Sequence, residues 1–217
     1  MAGKDSGQNV FMLTSFNPGS GKSFLAMNIA MSFAIKKKRI LVIDGDLRHG
    51  STSSYVDSPK TGLSDYLGNR VSDWKEIIVK DEKYDNLHII PIGTVPPNPT
   101  ELLEDGKLAT LIEVLRSEYD YIFIDCPPID IVADAQIIEK LADRTVFVVR
   151  SGLLDRSMLP ELENIYQEKR FKNLSVILNG TESAGGRYGY RYGYRNGYSS
   201  YYGNKGKMGG GKWVVIK

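Results

Sequence analysis

The chain has 217 residues, enough for one sizeable domain, and its 41% hydrophobic and 25% charged residues suit a packed core. A single cysteine, Cys126, excludes an internal disulfide framework and a Cys-rich metal site, and fits a reducing cytoplasm. The net charge of +2 hides an asymmetry: from Thr181 onward there are seven Lys or Arg and one acid, against 21 bases and 25 acids before it, so an acidic body carries a basic tail. No apolar run approaches the ~20 residues of a membrane span, and the polar start does not read as a signal peptide.

Apolar, β-rich runs recur at 10–14, 39–43, 87–91, 121–125, 145–150 and 174–179, with helical patterns between most of them. Continuous apolar strands alternating with helices predict an α/β fold, a doubly wound and mainly parallel sheet with helices on both faces. Ligands of such folds sit beyond the C-terminal ends of the strands, where the motifs of this chain fall.

The first run leads into Ser15-Phe16-Asn17-Pro18-Gly19-Ser20-Gly21-Lys22-Ser23-Phe24 and then an apolar-periodic helix to Ile35. This is a P-loop. Gly19 and Gly21 let the backbone curl around an anion, and the opening helix aims its free N–H groups and positive dipole end at it. Lys22 is expected to reach the β- and γ-phosphates of ATP, and Ser23 to hold Mg²⁺. Phe16 stands where the usual pattern begins with glycine. Lys36 to Arg39 follow the helix, where four cations complement its dipole.

The second run delivers Asp44-Gly45-Asp46-Leu47-Arg48 past its end. Carboxylates two residues apart are costly unless a cation or metal joins them. Residues 50–60 read as a Ser/Thr-rich loop and 62–84 as one or two short helices with core side chains. His49 has no assigned role, and His88 reads as structural. Asn98, Pro99 and Glu101 suit the N-cap, first and third positions of the next helix, as a capping box. Asp125, ending a buried strand about a hundred residues after the P-loop, reads as a Walker B aspartate on Mg²⁺, with Cys126 inert beside it. Helices are expected over 130–142 and 159–169.

The organisation that follows is a nucleotide-binding domain over 1–180 and a flexible basic tail over 181–217. The tail holds Tyr188, Tyr190, Tyr192, Tyr194, Tyr198, Tyr201 and Tyr202, seven of the chain's thirteen tyrosines, separated by Gly and Arg. It reads as a bare extension, a stacking strip for single-stranded nucleic acid, or a phosphorylation target. Each phosphotyrosine adds about −1.5 to −2 charges, so three or four would erase the tail's positive charge and turn attraction to the acidic body into repulsion.

These motifs and the tail together resemble the bacterial tyrosine autokinases of capsule and exopolysaccharide synthesis, over about residues 10–202. Ile43 to Arg48 is similar to that family's Walker A′, and Val95 to Leu103 to its recurring segment after the strand. The resemblance implies MgATP-dependent phosphorylation of tyrosines in the C-terminal cluster of a neighbouring subunit in a ring. It places phosphate on the loop from Asn17 to Phe24, Mg²⁺ on Ser23, Asp46 and Asp125, and catalysis on Lys22, Asp44, Asp46 and Arg48. Asp44 is the implied base for the incoming tyrosine, though Asp44 and Asp46 could trade functions. Asn179 resembles the adenine contact of related proteins. Implied partners are further copies of the chain, a transmembrane activator segment, fused or separate, and a tyrosine phosphatase, with no nucleic acid. The implied location is cytoplasmic, at the inner face of the inner membrane in the full-length or complexed protein. The family's N-terminal helix, with Glu and Arg at ring contacts, and its membrane-spanning region have no counterpart here, which reads as a catalytic domain alone. The competing reading is a non-kinase switch ATPase of the partitioning or division-site type. Those carry a lysine early in the P-loop where this chain has Asn17.

Overall fold

The structure, a computed structural model, describes residues 3–129, 133–181 and 212–216. Its strands are β1 (Val10–Thr14), β2 (Ile40–Asp44), β3 (Val79–Lys80), β4 (Leu87–Ile90), β5 (Tyr121–Asp125), β6 (Arg144–Arg150), β7 (Ser175–Thr181) and β8 (Lys212–Ile216). Its α-helices are α1 (Lys22–Ile35), α2 (Leu63–Leu67), α3 (Pro99–Glu104), α4 (Lys107–Glu118), α5 (Asp134–Glu139) and α6 (Leu159–Gln167). The strands make one sheet in the order β3-β4-β2-β5-β1-β6-β7-β8, parallel from β4 to β7 with an antiparallel strand at each edge.

The alternation of each strand explains why both faces are covered. In β2, Ile40 and Val42 face a cluster with Leu25, Ala26, Met27 and Ala30 of α1, while Leu41 and Ile43 join Leu108, Leu111 and Leu115 of α4 on the other side. All five residues of β2 are buried. A strand apolar on both faces is what a doubly wound sheet demands. The expected fold class is the observed one.

Differences are local. Residues 50–60 are less exposed than a Ser/Thr-rich loop should be: Thr52 and Ser53 are buried and a 3₁₀ turn spans Ser53–Val56. The 62–84 region holds α2 and a 3₁₀ turn at Trp74–Ile77, but also the two-residue strand β3, too short to leave a periodic signal. The Asn98 side chain caps no backbone N–H; its amide donates to Glu101 Oε2 at 2.8 Å instead. The helix expected over 130–142 is described only as α5, since 130–132 lie outside the described residues. So do 182–211, with all seven clustered tyrosines, whereas 212–216, assigned from sequence to the tail, pair with β7.

Gly62 fixes how the α2 turn meets the chain leaving β4. A Cβ there would stand 2.3 Å from Gly93 N and from Pro91 O, backbone atoms that cannot swing aside. Gly62→Ala is expected to cost about 3 kcal/mol, the upper range of overpacking penalties, read as a lowered urea midpoint at unchanged m-value.

Candidate active site

The loop after β1 is shaped by two left-handed glycines, Gly19 at φ 73° and Gly21 at φ 93°. Gly21 caps α1 without any side-chain hydrogen bond to the helix's first N–H groups. Those donors are the ready anion site of a helix N-terminus. Ser15 and Ser20 each donate a hydroxyl hydrogen bond to Asn17 O at 2.8 Å, tightening the turn around exposed Pro18. From the far side Arg150 donates to Gly19 O at 2.6 Å and the Asn179 amide to Ser20 O at 2.8 Å. Any Cβ on Gly21 would meet that amide at 2.2 Å.

Phe16 explains its own departure from the glycine pattern. It needs no positive φ, and its ring is buried edge-on against Phe147 at a centroid distance of 4.8 Å. Phe24, in the first turn of α1, stays about half exposed at 47%.

Lys22 turns its amine back to Ser15 Oγ at 3.2 Å. Burial pushes its pKa down, opposed by the carboxylates of Asp125 and Asp46. Asp44 and Asp125 are register partners at the ends of β2 and β5, and both are buried. Burial first, then neighbouring Asp125, raises Asp44 to about 7 against hydrogen bonds from Ser53 that lower it. Asp125 is also raised by burial, with hydrogen bonds from Ser23 and Thr52 opposing. Each carboxylate has one buried oxygen, Oδ1, without a protein partner. Asp46 Oδ1 accepts from the N–H groups of Arg48 and His49, both at 3.2 Å, and lies 3.3 Å from His49 Nδ1. Cys126 is buried and its thiol pushed well up, which leaves it inert.

The P-loop, Lys22, Ser23, Asp44, Asp46, Asp125 and Asn179 therefore gather at the C-terminal end of the sheet. Arg48 faces elsewhere. Its guanidinium contacts Asp134 Oδ2 at 3.3 Å and Thr100 Oγ1 at 3.0 Å, and Thr100 donates to Asp134 Oδ1 at 2.7 Å. It ties the loop after β2 to α3 and α5. Sequence reasoning missed Asp134, Thr100, Thr52, Ser53 and Arg150. A fully buried Asp on a short helix has no signature, and Thr52 and Ser53 lie in a run whose composition suggested solvent.

A glycine loop at a helix N-terminus, a lysine and two aspartates at the C-terminal ends of inner strands of a doubly wound sheet define a P-loop nucleotide-binding protein. A family model described as an AAA domain matches residues 9–154. Over 200 residues the chain is 35% identical to the tyrosine-protein kinase CpsD of Streptococcus pneumoniae, covering 91% of this chain and 84% of CpsD. It is 36% identical to the putative tyrosine-protein kinase EpsB of Ralstonia solanacearum, of whose length it spans 25%. The kinase domain of the Escherichia coli tyrosine kinase ETK superposes with a TM-score of 0.75 at 31% identity, over 86% of this chain and 74% of that one. The septum site-determining protein MinD of Pyrococcus horikoshii, at TM-score 0.63 and 20% identity, over 78% of this chain and 69% of that one, shares the fold. The chain belongs to the bacterial tyrosine-protein kinases. No helix among the described residues is long and apolar enough to cross a membrane.

Proposed function

We propose that the chain transfers the γ-phosphoryl group of ATP to tyrosine hydroxyls, those of its own cluster from Tyr188 to Tyr202 being the acceptors, in trans between copies of the chain. The observation that carries this is the pair of buried carboxylates facing the P-loop, each with one oxygen unclaimed by the protein. Unpaired buried carboxylate oxygens are costly, and a cation is what such a pair accommodates.

Among the described residues no three His, Cys, Asp or Glu side chains form a ready metal cluster. Mg²⁺ is held by one or two carboxylates together with nucleotide phosphates. Ser23, Asp46 and Asp125 would hold it, and bound there it neutralises charge on the phosphates. The loop from Asn17 to Phe24 cradles the phosphates through backbone N–H groups. Lys22, released from Ser15, places its charge on the β- and γ-oxygens. Asn179 lies beside the loop where a nucleobase would rest. Asp44, near neutral-pH balance at about 7, accepts the tyrosine proton. A tyrosine hydroxyl with its ordinary pKa near 10 needs such a base. Arg48 acts by holding the loop that bears Asp46, just past Asp44 at the end of β2.

Phosphate accumulating on a basic tail suggests a charge switch in the control of capsule or exopolysaccharide synthesis. It would work with a transmembrane activator segment and an opposing phosphatase, at the cytoplasmic face of the inner membrane, in a ring of copies. Incubation with MgATP followed by intact-mass and peptide mass spectrometry is expected to show a ladder of phosphates between Tyr188 and Tyr202. ATP hydrolysis without any ladder would return the chain to the switch-ATPase reading.

A further inference from the structure

Two successive hydroxyl residues bracket the two buried carboxylates. Thr52 Oγ1 donates to Asp125 Oδ2 at 2.6 Å, and Ser53 Oγ donates to Asp44 Oδ2 at 2.7 Å, beside a second bond of 2.7 Å from Ser53 N. Ser53 Oγ in turn accepts from Ile92 N at 2.9 Å, which anchors the dipeptide to the chain leaving β4. Thr52 is fully buried and Ser53 nearly so.

A hydroxyl has one proton to give. Thr52 commits its proton to Asp125 and Ser53 to Asp44. In each carboxylate the oxygen that accepts this bond is Oδ2, and the oxygen left over is Oδ1. The bracket thereby decides which oxygen is free and what rotation the carboxylate holds. Because the two donors are adjacent in the chain, one short segment sets both.

We infer that Thr52 and Ser53 are positioning residues for phosphoryl transfer, Thr52 setting the Asp125 carboxylate for the cation and Ser53 setting the Asp44 carboxylate for the acceptor hydroxyl. This rests on the kinase reading above. It goes beyond that reading in giving a task to a segment that carries no nucleotide motif. Partners one step removed from a metal or reacting group usually matter on the scale of about 10- to 100-fold.

The test uses the full chain and four variants: Thr52→Val, which keeps shape and loses the hydroxyl; Thr52→Ser, which restores it; Ser53→Ala; and the double variant Thr52→Val/Ser53→Ala. Thermal melts report folding. Mn²⁺ affinity in the nucleotide complex, followed by electron paramagnetic resonance, and kcat and KM for ATP report function. Thr52→Val is expected to weaken Mn²⁺ about 10- to 100-fold with metal-free nucleotide binding unchanged, and Thr52→Ser to restore it to within about threefold. Ser53→Ala is expected to lower kcat about 10- to 100-fold with KM and Mn²⁺ affinity little changed. The double variant should combine the two effects, the Mn²⁺ loss of Thr52→Val with the kcat loss of Ser53→Ala. Wild-type Mn²⁺ affinity and kcat in Thr52→Val and Ser53→Ala would overturn the inference, as would a Thr52→Ser no better than Thr52→Val. If Thr52→Val does not fold, Ser53→Ala decides alone, through its kcat. A wild-type chain that binds Mn²⁺ and nucleotide but phosphorylates no tyrosine defeats the kinase reading, while the Mn²⁺ comparison still judges Thr52.

Discussion

Lys22→Met is expected to reduce tyrosine autophosphorylation by a factor on the order of 10²–10³ or more, the scale of removing one preorganised charge from a transition state. The methionine fills nearly the same volume, so the loop around Gly19 and Gly21 keeps its left-handed glycines and its contacts to Arg150 and Asn179. What disappears is the cation that the P-loop itself brings beside Asp46 and Asp125. In the resting protein that amine rests on the Ser15 hydroxyl, a neutral partner it gives up readily for a phosphate. Phosphoryl transfer asks the protein for positioning and charge neutralisation more than for covalent chemistry, so the loss falls on kcat more than on ATP affinity. Intact-mass spectrometry after timed incubation with MgATP measures it. A variant that still builds the full ladder at a rate within tenfold of wild type would remove Lys22 from catalysis.

Asp44→Asn is expected to produce opposite changes in activity and stability. The asparagine carbonyl can accept both hydrogen bonds from Ser53, while its amide cannot take a proton from tyrosine. Loss of a general base costs typically about 10²–10⁴ in rate. In the wild type, kcat/KM should rise with pH and level off above about 7, the value to which burial raises Asp44. That limb should be absent in the variant. Stability runs the other way. The folded carboxyl keeps its proton up to about 7, whereas the unfolded one releases it near the ordinary value of 3.8. The stabilising contribution is therefore complete below 3.8 and is lost as pH rises to about 7. The variant's advantage in Tm should be absent at the acid end, grow across that window and stay level above it. A few kcal/mol is the ceiling, worth about 2–4 °C of Tm per kcal/mol in a chain of this size. Melts from about pH 3.5 to 8, spanning the ordinary and raised values, and pH–rate profiles of both proteins check the two halves together.

What the sequence revealed depended on how each element is encoded. The inner strands were legible because burial on both faces makes them continuous apolar runs, such as Ile40-Leu41-Val42-Ile43. The P-loop was legible because its backbone demands glycine at 19 and 21. Asp44, Asp46 and Asp125 were legible because each lies at or just past such a strand end. By contrast, Thr52 and Ser53 gain their partners only through tertiary contact, across nine residues to Asp44 and 73 to Asp125. Asp134 meets Arg48 across 86 residues, and that contact turns a motif arginine into a strut. Local composition holds no record of such pairings. Strand β8 had a signal that was passed over, the run Trp213-Val214-Val215-Ile216, because it follows a stretch of glycine and lysine.

The alignment of Asp44 with Asp125 across β2 and β5 has a consequence for how this enzyme can vary. Neighbouring strands lie about 4.8 Å apart, so the spacing of the two carboxylates is inherited from the sheet rather than chosen by their side chains. A slip of one residue would send one carboxylate to the opposite face, and a slip of two would carry it a full repeat away. Substitutions of the groups around the carboxylates leave the backbone spacing of the pair unchanged. Fine adjustment belongs instead to the buried residues that set strand twist, such as Val42 and Phe123, register partners two residues before the carboxylates. Divergence within such a carboxylate pair would be written in the core.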